Sequence, residues 1–390
     1  MARPLEVLAA FLRLGCTSFG GPVAHLAYFR TEFVERRRWL DDATFGECVA
    51  LTQLLPGPGS SQTGMLIGWL AAGPLGALCA WIGFTLPSAT IMTFIALAAG
   101  TSLTGAGWLH ALLLVATGVV ASAIVTMRSS LAPDTLRLSI AIAVLALVLV
   151  WRSPAAAPLS ILFSAAIGAF WLHGQIAATP PKLDLGVSRR SGAVILVLFI
   201  CTLIALEIAA RLTRSHPIVL FDLLFRVGSL VFGGGHVVLP LLQTQAAAAG
   251  IVTSRAILEG YAAAQAMPGP LFTISSFVGA ASYSGSLGIC GALLATIAIF
   301  APSFALLGGV APFYRALAES ERFRAALAGA NAGVTGLLAG AFVDPIWTSA
   351  IHNVLDVCFA GATFFAVHVL KVPAWIVVVA AALAGVLLFR

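Results

Sequence analysis

Charge is what this sequence has least of. Only 9% of its 390 residues are Asp, Glu, Lys or Arg, against about 25% in a soluble domain. A water-soluble globule is thereby excluded. Cysteine is also sparse: Cys16, Cys48, Cys79, Cys201, Cys290 and Cys358 lie singly, mostly inside apolar segments, with no Cys-x-x-Cys. That excludes a disulfide framework and a thiolate metal centre, and leaves small packing residues. The histidines, His25, His110, His173, His216, His236, His352 and His368, show no metal-ligand spacing. No metal and no cofactor are therefore expected, and His236, just after Phe232-Gly233-Gly234-Gly235, reads as structural or hydrogen-bonding. Gly-x-Ser-x-Gly, Walker A and His-Glu-x-x-His are all missing, so a hydrolase, an ATPase or a metalloprotease has no support. The opening MARPLEVLAAFLRLG offers no small-residue cleavage site, so no signal peptide is expected.

What the chain has instead is apolar length. It is 60% hydrophobic with a mean hydropathy of +1.03. Thirteen apolar segments run at 5–27, 45–70, 75–99, 107–127, 136–151, 157–173, 191–211, 218–242, 257–281, 284–310, 323–343, 347–370 and 373–389. Many approach the roughly 20 residues a bilayer-crossing helix needs. The fold class is an all-α integral membrane protein. The one polar linker, GQIAATPPKLDLGVSRR at 174–190, divides the chain. The expected organisation is 1–173, a linker with connecting helix at 174–216, and 217–390. The net charge of +6 is loop arginine on one membrane side, and no nucleic-acid partner is expected.

The two flanking halves are alike. Arg13, Gly15, Phe19, Gly20 and Gly21 match Arg226, Gly228, Phe232, Gly233 and Gly234 at an offset of 213. ECVALTQLLPGP (Glu47 to Pro58) matches EGYAAAQAMPGP (Glu259 to Pro270) at 212. GALCAWIGFTLPS (Gly76 to Ser88) matches GALLATIAIFAPS (Gly291 to Ser303) at 215, and Gly118 and Gly333 continue that offset. Seven apolar segments separate the two starts, so the halves face opposite ways, the inverted repeat of secondary transporters. Lys182, Arg189, Arg190, Arg128, Arg137, Arg315, Arg322 and Arg324 put the N-terminus in the cytoplasm and the C-terminus outside. The loop RTEFVERRRWLDD (Arg30 to Asp42) breaks that bias unless the first two segments are re-entrant hairpins. Five crossings then separate the repeats and the inversion survives. Such irregular backbone must be buried in protein or line a cavity.

The breaks suggest chemistry. Pro56-Gly57-Pro58 and Pro268-Gly269-Pro270 stop a helix, because proline removes a donor and glycine permits positive φ. A helix restarting there presents free N–H groups and a positive dipole end, an anion site. Ser60, Ser61 and Thr63, and Thr273, Ser275 and Ser276, follow the breaks, and both capping and oxyanion binding stay open for them. Arg13 and Arg226 sit within apolar segments, where an arginine marks function or pairs with an acid; Glu47 and Glu259 are the acids preserved between the halves. Either glutamate is a candidate proton carrier or arginine partner. Gln53 and Gln265 satisfy freed backbone or donate to a ligand.

The doubled FGG and PGP motifs, preceded by Glu and Gln, resemble the long-chain chromate ion transporter family over nearly the whole chain. The resemblance implies a bacterial inner-membrane, multi-pass carrier that exports chromate on the membrane potential or proton gradient, and no enzyme. It implies an anion site at Arg13 and Arg226, with Gly20, Gly21, Gly233, Gly234, Gln53, Gln265, Ser60, Ser61 and Thr273 around it. A sulfate-like dianion, membrane lipid and protons are the other candidate partners, and a homodimer the candidate assembly. Sulfate uptake is the alternative, and a membrane enzyme or lipid-handling protein acting on a phosphorylated lipid a distant one.

Overall fold

The computed structural model describes residues 3–19, 21–102, 107–151, 153, 156–172, 183, 185–231, 238–246 and 249–388. Among them every regular element is helical and no strand occurs. In chain order these are α1 (Pro4–Thr17), α2 (Gly21–Arg30), α3 (Asp42–Leu54), α4 (Gly59–Ser102), α5 (Gly107–Leu131), α6 (Thr135–Val150), α7 (Ala156–Trp171), α8 (Arg189–Thr213) and α9 (His216–Leu230). There follow α10 (Val238–Ala246), α11 (Ser254–Ala266), α12 (Ile274–Ala281), α13 (Leu287–Val310), α14 (Tyr314–Glu319), α15 (Glu321–Ala341), α16 (Thr348–Ala350), α17 (Val354–Phe364) and α18 (Ala374–Leu388).

The starts of these helices are capped in sequence-legible ways. Asp41 accepts from the Thr44 N–H at 2.7 Å to open α3, and Thr253 accepts from the Ala256 N–H at 3.2 Å to open α11. Asp134 and Asn353 do the same for α6 and α17, at 2.9 and 3.0 Å. Each such cap satisfies one orphan N–H and contributes about 1 kcal/mol. The ends are equally regular. α1, α3, α9 and α11 each run into a residue in extended conformation: Ser18, Leu55, Val231 and Met267.

At these ends the chain turns back on itself. Phe11 of α1 lies 5.5 Å from Phe29 of α2, ring centre to ring centre, although 18 residues separate them. Collinear helices would hold them more than 20 Å apart at about 1.5 Å per residue, so α1 and α2 form an antiparallel hairpin. Thr52 of α3 and Thr63 of α4 touch through their hydroxyls at 2.9 Å. Gly260 of α11 lies so near Phe277 of α12 that a Cβ on it would come 2.6 Å from the ring. Those pairs are hairpins too, as the arginine-rich loop demanded. α4 bends once more: Ala72 and Gly73 leave helical geometry, with Gly73 at φ +68°, and the arms 59–71 and 74–102 fold against each other. The 13 residues of α3 and the 8 of α12 measure about 20 and 12 Å, short of a roughly 30 Å hydrocarbon core.

Thirteen apolar segments thus do not become thirteen long helices. Among the described residues five stretches are long and apolar enough to cross a membrane: Gly59–Ala98, His110–Ser129, Arg189–Thr213, Leu287–Leu317 and Glu321–Asp344. The exterior is correspondingly oily, with Leu86, Phe94, Val197, Ile204 and Leu293 exposed. Inside, the packing exchanges partners: α5 packs on α17 and α18, while α15 packs on α6 and α7. The aligned glycines lie at those crossings. A Cβ on Gly118 would come 2.6 Å from the Ala360 carbonyl, and one on Gly333 would overlap the Ser164 side chain.

Candidate functional site

The four helix breaks meet. The Gly57 N–H donates to the Val231 carbonyl at 2.6 Å, and the Gly269 N–H donates to the Ser18 carbonyl at 2.9 Å. Ser18 immediately precedes Phe19-Gly20-Gly21, and Val231 immediately precedes Phe232-Gly233-Gly234. Each Pro-Gly-Pro turn is therefore bonded to the residue that precedes the Phe-Gly-Gly motif of the other half. Glycine is required at both centres, since Gly57 has φ +119° and Gly269 φ +91°. Space is equally short: a Cβ at 57 would lie 3.2 Å from Ser303 Oγ, and one at 269 would lie 2.9 Å from Ser88 Oγ. Ser88 and Ser303 are themselves aligned in sequence, and each faces the other half's glycine.

α2, α4 and α12 start within four residues of Ser18, Pro58 and Pro270, and a helix N-terminus carries roughly half a positive charge. A small cavity of about 50 Å³ sits among them, lined by Pro22, Thr52, Gln53, Ser60 and Pro270 among others.

Around the breaks the buried side chains are polar. Ser60, Ser61, Gln62 and Thr63 are all buried. Gln62 Nε2 donates to the Pro56 carbonyl at 2.7 Å and to Ser303 Oγ at 3.3 Å, and Thr63 Oγ1 donates to the Gly59 carbonyl at 2.9 Å. The amide that satisfies the break is thus Gln62 rather than Gln53. His25, buried in the second turn of α2, has Nδ1 3.2 Å from Ser60 Oγ and its ring edge-on to Phe84. Among the described residues six buried polar atoms here have no hydrogen-bond partner: Ser18 Oγ, His25 Nε2, Ser61 Oγ, Gln62 Oε1, Thr85 Oγ1 and Ser275 Oγ. A buried polar group that finds no partner costs roughly 1–3 kcal/mol. Sequence reading passed over His25 and Gln62. Their signal was position: each lies within five residues of a break.

The other expected residues are distributed as follows. Gly21 opens α2 at φ +78°, while Gly20, Gly233, Gly234 and His236 lie outside the described residues. Gln53 is exposed on the cavity rim, and Gln265 hydrogen-bonds Tyr261. Thr273 Oγ1 donates to the Pro270 carbonyl at 2.8 Å. Arg13 is exposed five residues before Ser18, and no carboxylate among the described residues lies within ion-pair distance of it.

Arg226 and Glu259 are paired with groups other than the ones expected. Arg226 is bound to Asp222 at 2.6 Å and to Glu207 at 2.5 Å, and Glu207 also binds Arg211. Glu259 is bound to Arg255 at 2.9 Å. The physical reason is helical spacing: Asp222 to Arg226 and Arg255 to Glu259 are four apart, on one helix face. Glu47 and Glu259 each stand nine residues before their Pro-Gly-Pro, about 13 Å along the helix, and so outside the layer of turns.

An all-helical, multi-pass membrane protein with buried polar side chains gathered at helix breaks is the class this geometry defines. The comparisons name the family. The model of the chromate transporter family matches residues 5–169 and 218–386, and the chain belongs to that family. The chromate transport protein of Pseudomonas aeruginosa is 27% identical over 402 aligned positions, covering 98% of this chain and 92% of that one. The probable chromate transport protein of Synechococcus elongatus is 28% identical, covering 97% and 93%. That of Cupriavidus metallidurans is also 28% identical, covering 87% and 81%. No solved structure matches the chain. The protein is an ion transporter and not an enzyme.

Proposed function

We propose that the chain is a secondary active carrier that exports chromate, a tetrahedral dianion, from the cytoplasm of a bacterium through its inner membrane. The observation that carries this is the pair of crossed hydrogen bonds, Gly57 to Val231 and Gly269 to Ser18, which sets the starts of α2, α4 and α12 at the crossed turns beside buried polar side chains. Developing negative charge is what such a layer suits, since the helix ends and the Ser61 and His25 groups can all donate. Arg13 and Arg226 draw the dianion toward the turns. Arg13 acts with no ion-pair partner among the described residues, only the longer-range attraction of Glu32, and Arg226 with its charge shared between two carboxylates.

The halves act as an inverted repeat, 1–173 against 217–390. With the hairpins re-entrant, five crossings lie between them: the 74–102 arm of α4, then α5, α6, α7 and α8. An odd number reverses the second half. The arginines of the 36–38 loop then join Arg128, Arg189 and Arg315 on the cytoplasmic side, in keeping with the positive-inside bias. Rocking one half against the other around the crossed turns would open the layer to each side alternately. Glu47 and Glu259, partly buried near the hairpin bases, are the coupling sites for protons.

The test is flux in proteoliposomes loaded with chromate or with sulfate, with and without an imposed pH gradient. Gradient-dependent chromate flux, lost in His25→Ala and in Arg13→Ala at unchanged protein level, is the expected result. Sulfate flux alone would move the assignment to sulfate uptake, and flux of neither anion would overturn the carrier reading.

A further inference from the structure

A second cluster of chemical groups lies away from the turns, where α5 meets α17. His110, in the first turn of α5, places Nε2 2.8 Å from Asp356 Oδ1. His352, just before α17, places Nδ1 3.8 Å from Asp356 Oδ2. One carboxylate thus has an imidazole nitrogen against each oxygen, and the ligand atoms of all three residues fall within 4.8 Å of one another. Asp356 is fully buried. The spacing His352-x-x-x-Asp356 is visible in the sequence, but its third member comes from 242 residues before His352, so no linear motif announces it.

Helix capping alone does not account for this. Asp356 Oδ2 accepts from the backbone N–H groups of His352 and Asn353 at 2.9 and 3.2 Å, closing the capping box of α17. That duty needs neither an imidazole from a distant helix nor a second one four residues back. The backbone donors instead do what outer hydrogen bonds do in metal sites: they hold the carboxylate in one orientation.

The geometry points to a zinc-type divalent metal site formed by His110, His352 and Asp356. Two imidazoles with one carboxylate are ligands for zinc and its transition-metal neighbours, and unsuited to calcium or magnesium, which take oxygen. Bonds of about 2.1 Å in a tetrahedron set ligand atoms about 3.4 Å apart. One ligand atom from each residue already lies within 4.8 Å of the other two, so side-chain rotations complete the set. Water fills the fourth position. His110 is partly and His352 largely exposed, which gives the ion an entry path. The ion would tie α5 to α17, the same two helices that touch at Gly118 and Ala360.

Metal binding does not depend on what the protein transports, so the test is binding itself. Zinc is titrated into the purified, tag-free protein in detergent, by calorimetry and by thermal unfolding. One zinc per chain with micromolar affinity and a raised Tm is expected. His352→Ala removes an exposed side chain and His110→Gln keeps a polar partner for Asp356, so both variants retain the fold. Each should weaken zinc binding at least tenfold, while magnesium leaves Tm unchanged. Zinc binding of equal strength in both variants, or none in the parent protein, would overturn the assignment and leave a hydrogen-bonded helix clasp.

Discussion

Gly269→Ala tests the crossed turns most directly. An L-residue at φ +91° costs about 1–2 kcal/mol in backbone strain. The new Cβ would also sit 3.0 Å from the Phe84 carbonyl and 2.9 Å from Ser88 Oγ. The serine can rotate, but the carbonyl belongs to the long arm of α4 and can yield only by moving the helix, an overpacking cost of about 1–3 kcal/mol. The 2.9 Å bond from the Gly269 N–H to Ser18 would stretch with it. The combined cost, roughly 3 kcal/mol, falls on the layer of turns, and at 1.4 kcal/mol per factor of ten it corresponds to a loss of about a hundredfold in the competent conformation. Gly186→Ala is the control, because Gly186 has φ +68° yet nothing within 4 Å of the added Cβ. Chromate flux per reconstituted protein is the assay, with Tm alongside. Flux in Gly269→Ala within twofold of the parent would refute the claim that the crossed turns form the working site.

Three further outcomes follow from the same geometry. Ser61→Ala should raise the KM for chromate several-fold, because Ser61 Oγ is buried without a partner, whereas Thr273→Ala at the aligned position should cost mainly stability, since Thr273 Oγ1 is committed to Pro270; equal effects on KM would count against direct binding by Ser61. Arg226→Ala leaves buried Asp222 without its direct partner, beside Glu207 and with only Arg211 further off, and should lower Tm, with Asp222→Ala added to Arg226→Ala restoring part of it; a double variant no more stable than the single one would deny the network. In a cysteine-free background Arg37→Cys should resist a membrane-impermeant maleimide in intact cells and react in inverted vesicles, whereas labelling from outside would mean that the first two segments cross.

Much of this was legible from residue spacing, and what was not has a common cause. Proline and glycine act locally, so the breaks at 55–58 and 267–270 could be read from identity alone, as could the capping Asp41 and Thr253. The misplaced charge of the Arg30 to Asp42 loop even gave the hairpins away, because the bilayer penalises it on the wrong side. Partners across helices were a different matter. Gln62 rather than Gln53 bonds the break because one helical turn after Gly59 faces inward and one turn before Pro56 does not, a distinction of side-chain direction that period counting in a uniformly apolar segment cannot supply. The ion pairs failed for the opposite reason: preserved residues drew attention to Arg226 and Glu259, while Asp222 and Arg255, four residues away, have no counterpart in the other half.

Those unmatched residues make the site less symmetric than the sequence alignment of the halves suggests. Arg226 carries two acidic partners, but the position aligned with Asp222 is Ala9, and among the described residues Arg13 has only the longer-range attraction of Glu32. The polar side chains lean the same way: Ser60, Gln62 and His25 align with Phe272, Ile274 and Val238. Among the described residues the buried polar side chains near the breaks include Ser60, Ser61, Gln62 and His25 in the first half and Ser275 and Ser303 in the second. In the carrier proposed above, that imbalance, with Arg226 shared between two carboxylates, would set the dianion toward the start of α4 rather than on a pseudo-twofold axis. Two equivalent half-sites would each have to hold a dianion against the repulsion of the other, and one lopsided site would avoid that repulsion.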